Sequence, residues 1–232
     1  MAKVSYKPRK RPEEESVQLS LRSLRNSSPV ALASLFFANV YPCFAVLFLG
    51  WSVGDIVILY WAESVVIILY TRLKMRFLVR DWDHYEPGEG KLLMDGVPQP
   101  PRRIPDFFLF FYCFFSFGHG LFTFMFFAHA ISFTWGSFFV ALAIMTLSHG
   151  VSFVTNYMWR KEYERTTLEV LFELPWKRLL LLHVLILGIG FFIALIPILN
   201  SVVSLLMFTG LKIAFDLRAH LKEHDPNVVA EN

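Results

Sequence analysis

The sequence predicts an all-α fold, a polytopic transmembrane helical bundle of about six spans with both termini cytoplasmic. Three observations carry this expectation. Hydrophobic residues make up 55% of the 232-residue chain, 25 residues are phenylalanine and 18% are charged, against roughly 25% charged in ordinary globular domains. The mean hydropathy is +0.49, and about six apolar runs are long enough to cross roughly 30 Å of hydrocarbon. The positive charges, which hydropathy does not use, fall on alternate connections between those runs.

The first 28 residues are polar and basic ("KVSYKPRKRPEEES") and lack the apolar core and small-residue site of a cleavable signal peptide. Residues 1–28 are therefore expected to form a disordered cytoplasmic tail, in which "VQLSLRSLR" has the pattern of a short amphipathic helix for an anionic leaflet. Span one, "PVALASLFFANVYPCFAVLFLGW" (29–51), serves as the insertion signal. Span two is "DIVILYWAESVVIILY" with its flanks (53–72), span three "DFFLFFYCFFSFGHGLFTFMFFAHAI" (106–131) and span four "WGSFFVALAIMTLSHGVSFVTNYMW" (135–159). Spans five and six are "LLLLHVLILGIGFFIALIPIL" (179–199) and "NSVVSLLMFTGLKIAFDL" (200–217). Pro197 and Asn200 leave almost no loop between them, so a re-entrant pair is the competing parse. The membrane domain is 29–217, with a cytoplasmic loop at about 73–105, and 218–232 form a second cytoplasmic tail.

All 22 Lys and Arg fall in the amino-terminal tail, in the 72–105 or 159–178 connections, or from Lys212 onward. The turns "GWSVGD", "HAISFTWG" and "LIPILNS" carry none. An even number of spans with both termini on the positive side requires this distribution. The pI of about 8.9 follows from these charges and is no argument for a nucleic-acid partner. The expected partners are the lipid bilayer and a lipid-like or small-molecule ligand.

Cys43 and Cys113 both fall inside spans and are expected to be small buried hydrophobes, with no disulfide framework and no CxxC metal pair. The long loop, with "EPGEG" and "DGVPQPP", reads as turns and a small hairpin around "KLLM". It contains no Walker loop, GxSxG or HExxH. Its acidic group Asp81, Asp83, His84 and Glu86 does not match calcium-loop spacing and is expected to be solvated.

The chemistry-bearing residues lie within the spans. Tyr60, Glu63, Ile67 and Tyr70 share one face of span two, and His149, Ser152 and Asn156 one face of span four. Ser116 and His119 are neighbours on span three, where Gly118 and Gly120 leave room for another helix. Thr209, Lys212, Asp216 and His220 line up on span six. Counted from each cytoplasmic end, Glu63 and His149 lie ~13 Å deep, Asn39 ~15 Å, His119 ~20 Å, His183 ~9 Å and Lys212 ~8 Å. Asn156 is shallow enough to be wet. One polar face per helix, in one slab, predicts a shared interior open to the cytoplasm.

The stretches "LYWAES", "FFSFGHG", "LSHGVSFVTN", "PWKRLLLLH" and "LKIAFDLRAH" resemble a family of uncharacterised bacterial multi-pass membrane proteins, a domain of unknown function. The resemblance covers residues from about 30 to 220. It implies the multi-pass fold, a bacterial cytoplasmic membrane location, and weight on Glu63, His119, His149, Asn156, Pro175, Arg178, His183 and Lys212. The family reads Trp-x-Glu-Asn where this chain has Trp61, Ala62, Glu63 and Ser64. No activity comes with the resemblance.

Each residue also has a structural reading. Glu63 can pair with Lys212, because two buried opposite charges cost less than either alone. Each histidine can hydrogen-bond a neighbouring helix, and Pro175 and Arg178 can start span five and anchor it at the headgroups. Taken together, Glu63, His119, His149 and His183 are the oxygen and nitrogen donors that zinc or iron prefers. A bound metal would make a hydroxide nucleophile inside the membrane, with Glu63 as general base, Lys212 stabilising negative charge, and Ser116 and Asn156 orienting a lipid-like substrate. The spread in depth of His119 and His183, ~11 Å, strains a single centre. The competing classes are a small transporter or proton relay, a bis-histidine haem protein using His149 and His183, and a non-catalytic scaffold whose polar layer sets helix register.

Overall fold

The computed structural model describes residues 28–80 and 101–173, with short pieces of 93–98 and of 175–214. Among these residues four helices are long and apolar enough to cross a membrane. They are α1 (Pro29–Phe48), α2 (Val53–Arg80), α3 (Ile104–Phe127) and α4 (Trp135–Ser152), the last running on as a π-helix, Phe153–Trp159. Most of spans five and six, both tails and the acidic group of the long loop lie outside the described residues. Two strands, Leu93–Met94 and Val97–Pro98, pair antiparallel where the hairpin was expected.

The helix ends follow local chemistry. Pro29 and Pro105 sit in the first turns of α1 and α3, where a missing N–H costs nothing. After α1 the chain reverses at Gly50, whose φ of +70° suits glycine, and the Trp51 N–H returns to the Ala45 carbonyl at 3.2 Å. Helix α2 opens on a capping box: the Asp55 N–H donates to Ser52 Oγ at 3.4 Å while the Ser52 N–H donates to the Asp55 carboxylate at 2.7 Å. Thr134 caps α4 by accepting the Ser137 N–H at 3.3 Å.

Helix α2 is central. It packs against α3 along its length and against α4 on another side, while α1 packs on α4. The α1–α4 contact includes small residues that let the backbones approach: Ala38, Ala45 and Ala141 share one buried cluster with Met145, and Ser148 donates to Ser34 at 3.3 Å. The outer faces are apolar, with Phe37, Phe48, Phe110, Phe114, Met125 and Leu147 all exposed. A water-facing surface does not carry contiguous aromatic patches of this size, and a membrane location fits them.

One end of the bundle gathers the charges. Arg72 and Arg76 both bond Asp106, at 2.9 and 2.6 Å, Lys74 lies 4.0 Å from Glu162 and over the Tyr157 ring, and Asn156 accepts the Ser28 N–H at 2.9 Å. The opposite end carries the turns 49–52 and 128–134, which are bonded to each other. The described helices therefore run up and down as the charge pattern predicts. Helix α2 was expected to stop near residue 72 but continues to Arg80. Its last two turns bury Met75 and Val79 against Ile104, Phe108, Leu168 and Leu171, which stabilises the helix beyond its apolar run.

Two further expectations change. Cys113 is exposed on the apolar outer face and Cys43 is half-buried, because a span surrounded by lipid has no need to bury a thiol. Gly118 meets nothing within 4 Å, so the close approach on α3 belongs to Gly120 alone.

Two residues after the π-helix, Lys161 adopts φ 55°. A side chain disfavours that left-handed conformation, and the Lys161–Glu164 pair at 3.0 Å is exposed. Lys161→Gly is expected to raise the stability of the detergent-purified protein by about 1 kcal/mol, read from its thermal midpoint. A drop would mean that the exposed ion pair outweighs the backbone relief.

Candidate functional site

The polar interior is organised by α2. Trp61 and Tyr70 are nine residues apart and project from opposite sides of the helix. Each rests on the glycine of a His-Gly pair. The Trp61 ring lies so close to Gly120 that a Cβ there would meet it at 2.5 Å, and its N–H donates to the Ser116 carbonyl at 2.9 Å. The Tyr70 hydroxyl would meet a Cβ on Gly150 at 2.7 Å. These two contacts set the separation of α3 and α4 from α2, and with it the placement of His119 and His149.

Glu63 lies on the Tyr70 side. Its Oε1 is 3.5 Å from His149 Nε2, and its residue is 5% exposed. That separation is long for a hydrogen bond but places the two groups in direct electrostatic contact within an apolar bundle. The His149 ring also lies 6.2 Å from that of Tyr70. The equal depth of Glu63 and His149 expected from the sequence thus corresponds to a contact. Ser64 turns inward to donate to the Trp61 carbonyl at 2.6 Å.

His119, 3% exposed, sits on the face of α3 that carries Ser116 and Thr123. Asn156, expected to be wet, is 2% exposed: besides accepting the Ser28 N–H it donates to Ser152 Oγ at 3.3 Å. The turns of the π-helix and the start of α1 enclose it. Pro175 is buried; Arg178, His183 and Lys212 lie outside the described residues. Among the described residues no three His, Cys, Asp or Glu side chains come together in an arrangement that holds a metal ion.

Over residues 21–231 the sequence matches a family of unknown function (DUF6498). The chain belongs to this family. No curated protein and no solved structure matches it. The family match spans all four described helices, so the polar interior they form lies within the DUF6498 region.

Two buried charges in this DUF6498 chain escaped the sequence reading. Asp55, 0% exposed, accepts the N–H groups of Ser52, Ser132 and Phe133 and the Ser132 hydroxyl. Its signal was present in the Ser-x-x-Asp spacing at the start of span two. Lys74, 8% exposed, stands 5.3 Å over the Tyr157 ring, and the Tyr157 hydroxyl donates to the Lys74 carbonyl at 2.8 Å. Lys74 falls on the same helical face as Glu63 and Tyr70. No local pattern marks it, since Glu162 lies in a distant connection.

Proposed function

We propose that the protein is a proton-handling membrane protein, a small proton-coupled transporter or relay, in which Glu63 and His149 take up and release a proton together. The observation that carries this is the buried Glu63–His149 contact at 3.5 Å. In hydrocarbon a lone charge on either residue is costly, so the pair holds a neutral or a mutually compensated state, and a change of one group's protonation is felt by the other. Tyr70 and Lys74 extend the same face of α2 toward the basic end, a row of polar groups leading from that end to the pair. In this reading the basic end faces the cytoplasm of a bacterial cell, both tails lie there, and the pair is served from that side.

The test is infrared spectroscopy of the lipid-reconstituted protein through a pH titration. The wild type is expected to show a carboxyl–carboxylate interconversion of about one proton per chain, absent in Glu63→Gln and displaced along the pH axis in His149→Gln. A wild type without a Glu63-dependent signal overturns the proposal. The same pair would supply two donors to the zinc or iron of a metal-dependent enzyme acting on a lipid-like substrate. Stoichiometric metal lost from both variants would replace the proton reading with that one.

A further inference from the structure

The polar face of α2 stops at Tyr60: toward the opposite end Ile56, Val57 and Leu59 follow, all apolar and fully buried. At that level the polar groups pass to α3. The Arg72–Asp106 and Trp61–Ser116 contacts fix an antiparallel register in which Glu63 comes within one helical turn of the level of Ser116, and Tyr60 of that of His119. Ser116, His119 and Thr123 then recur at i, i+3 and i+7 along one buried face of α3 toward the turn at 128–134.

The hydroxyls on this face behave differently from others in the bundle. Ser34, Ser64, Thr146 and Thr155 each donate to a carbonyl of their own helix, at 2.6–2.9 Å. This is the usual way a membrane helix satisfies a hydroxyl. Ser116 Oγ and Thr123 Oγ1 are fully buried and have no hydrogen-bond partner among the described residues. A buried hydroxyl left in this state costs free energy unless a polar molecule meets it.

We infer that the Ser116–His119–Thr123 face of α3 is a hydrated half-path that connects the Glu63–His149 pair to the end of the bundle opposite the charges, so that the two staggered polar faces form one proton route across the membrane. The occupant is water, the smallest molecule able to satisfy both hydroxyls and pass a proton to the imidazole of His119. The inference rests on the proton-handling reading of Glu63 and His149 and extends it from one-sided access to passage.

Cysteine accessibility in the full-length, lipid-reconstituted protein tests it, in a Cys43→Ala, Cys113→Ala background. Ser116→Cys and Thr123→Cys are compared with Phe117→Cys and Leu121→Cys, whose parent side chains are exposed on the apolar outer face. A small cationic thiosulfonate reacts with the thiolate, which forms in water and not in hydrocarbon, so Ser116→Cys and Thr123→Cys are expected to react at least ~10-fold faster than the outer-face controls. Thr123→Val in the Ser116→Cys protein is expected to slow labelling from the opposite end. The Glu63 infrared titration is recorded on the same samples. Thr123→Cys reacting as slowly as Phe117→Cys, with Glu63 still titrating, overturns the half-path and leaves the pair in place. A Glu63 that does not titrate overturns the reading of the pair and the inference with it.

Discussion

Asp55→Asn is expected to destabilise the protein by about 3 kcal/mol even though it changes neither shape nor volume. All four groups that meet the Asp55 carboxylate in the structure can donate: three backbone N–H groups and the Ser132 hydroxyl. A carboxamide keeps one acceptor oxygen and turns an N–H₂ group toward the other donors. At least one backbone N–H then faces a donor while buried, where water does not compensate. The change also removes a negative charge from the first turn of α2, where the helix dipole favours it. Because Asp55 joins the turn at 49–52 to that at 128–134, the loss separates α2 from the α3–α4 connection. The thermal midpoint in detergent, with Asp55→Ala for comparison, measures it. Near-wild-type stability of Asp55→Asn would mean that these acceptor bonds do not hold the two turns together.

Gly120→Ala is expected to cost about 1–3 kcal/mol, the range for overpacking a filled contact. A Cβ at residue 120 would lie 2.5–2.7 Å from three atoms of the Trp61 ring. That ring has little freedom to move: its N–H is bonded to the Ser116 carbonyl, and it packs in a T-shaped contact with the Phe124 ring, centroids 5.7 Å apart. Gly118→Ala, two residues away with nothing within 4 Å, is the internal control and is expected to be neutral. Gly150→Ala falls between, since only the end of the Tyr70 side chain must withdraw. Combining Gly120→Ala with Trp61→Phe should recover part of the loss, and the double-mutant cycle on thermal midpoints reads the coupling. Equal midpoints for Gly118→Ala and Gly120→Ala would refute the close α2–α3 approach.

The sequence exposed the membrane elements because hydropathy and charge are additive along the chain. Four of its spans begin within two residues of the observed helices, and the alternating charges anticipate which ends of those helices meet. Glu63 and His149 were legible as lying at one depth, because two helices entering from the same end place equal counts at equal depth, but the partner expected for Glu63 was Lys212 and the contact with His149 came from the structure. His119 was legible as buried. Its depth says nothing about which side of α2 it occupies. Asp55 was hidden in a turn that hydropathy reads as a boundary, and the Lys74–Glu162 contact joins residues 88 positions apart.

The sequence by itself determined that this chain fits a membrane, how its apolar runs alternate with charge, and which few polar side chains lie deep enough to require an explanation. These are one-dimensional properties, set by transfer free energy and by the rise of a helix. Only the tertiary structure decided which of those side chains meet. Trp61 on Gly120 and Tyr70 on Gly150 fix where α3 and α4 lie around α2, and that rotation, which depends on the shapes of a few contacting side chains, brings His149 to Glu63 and the Ser116 carbonyl to Trp61.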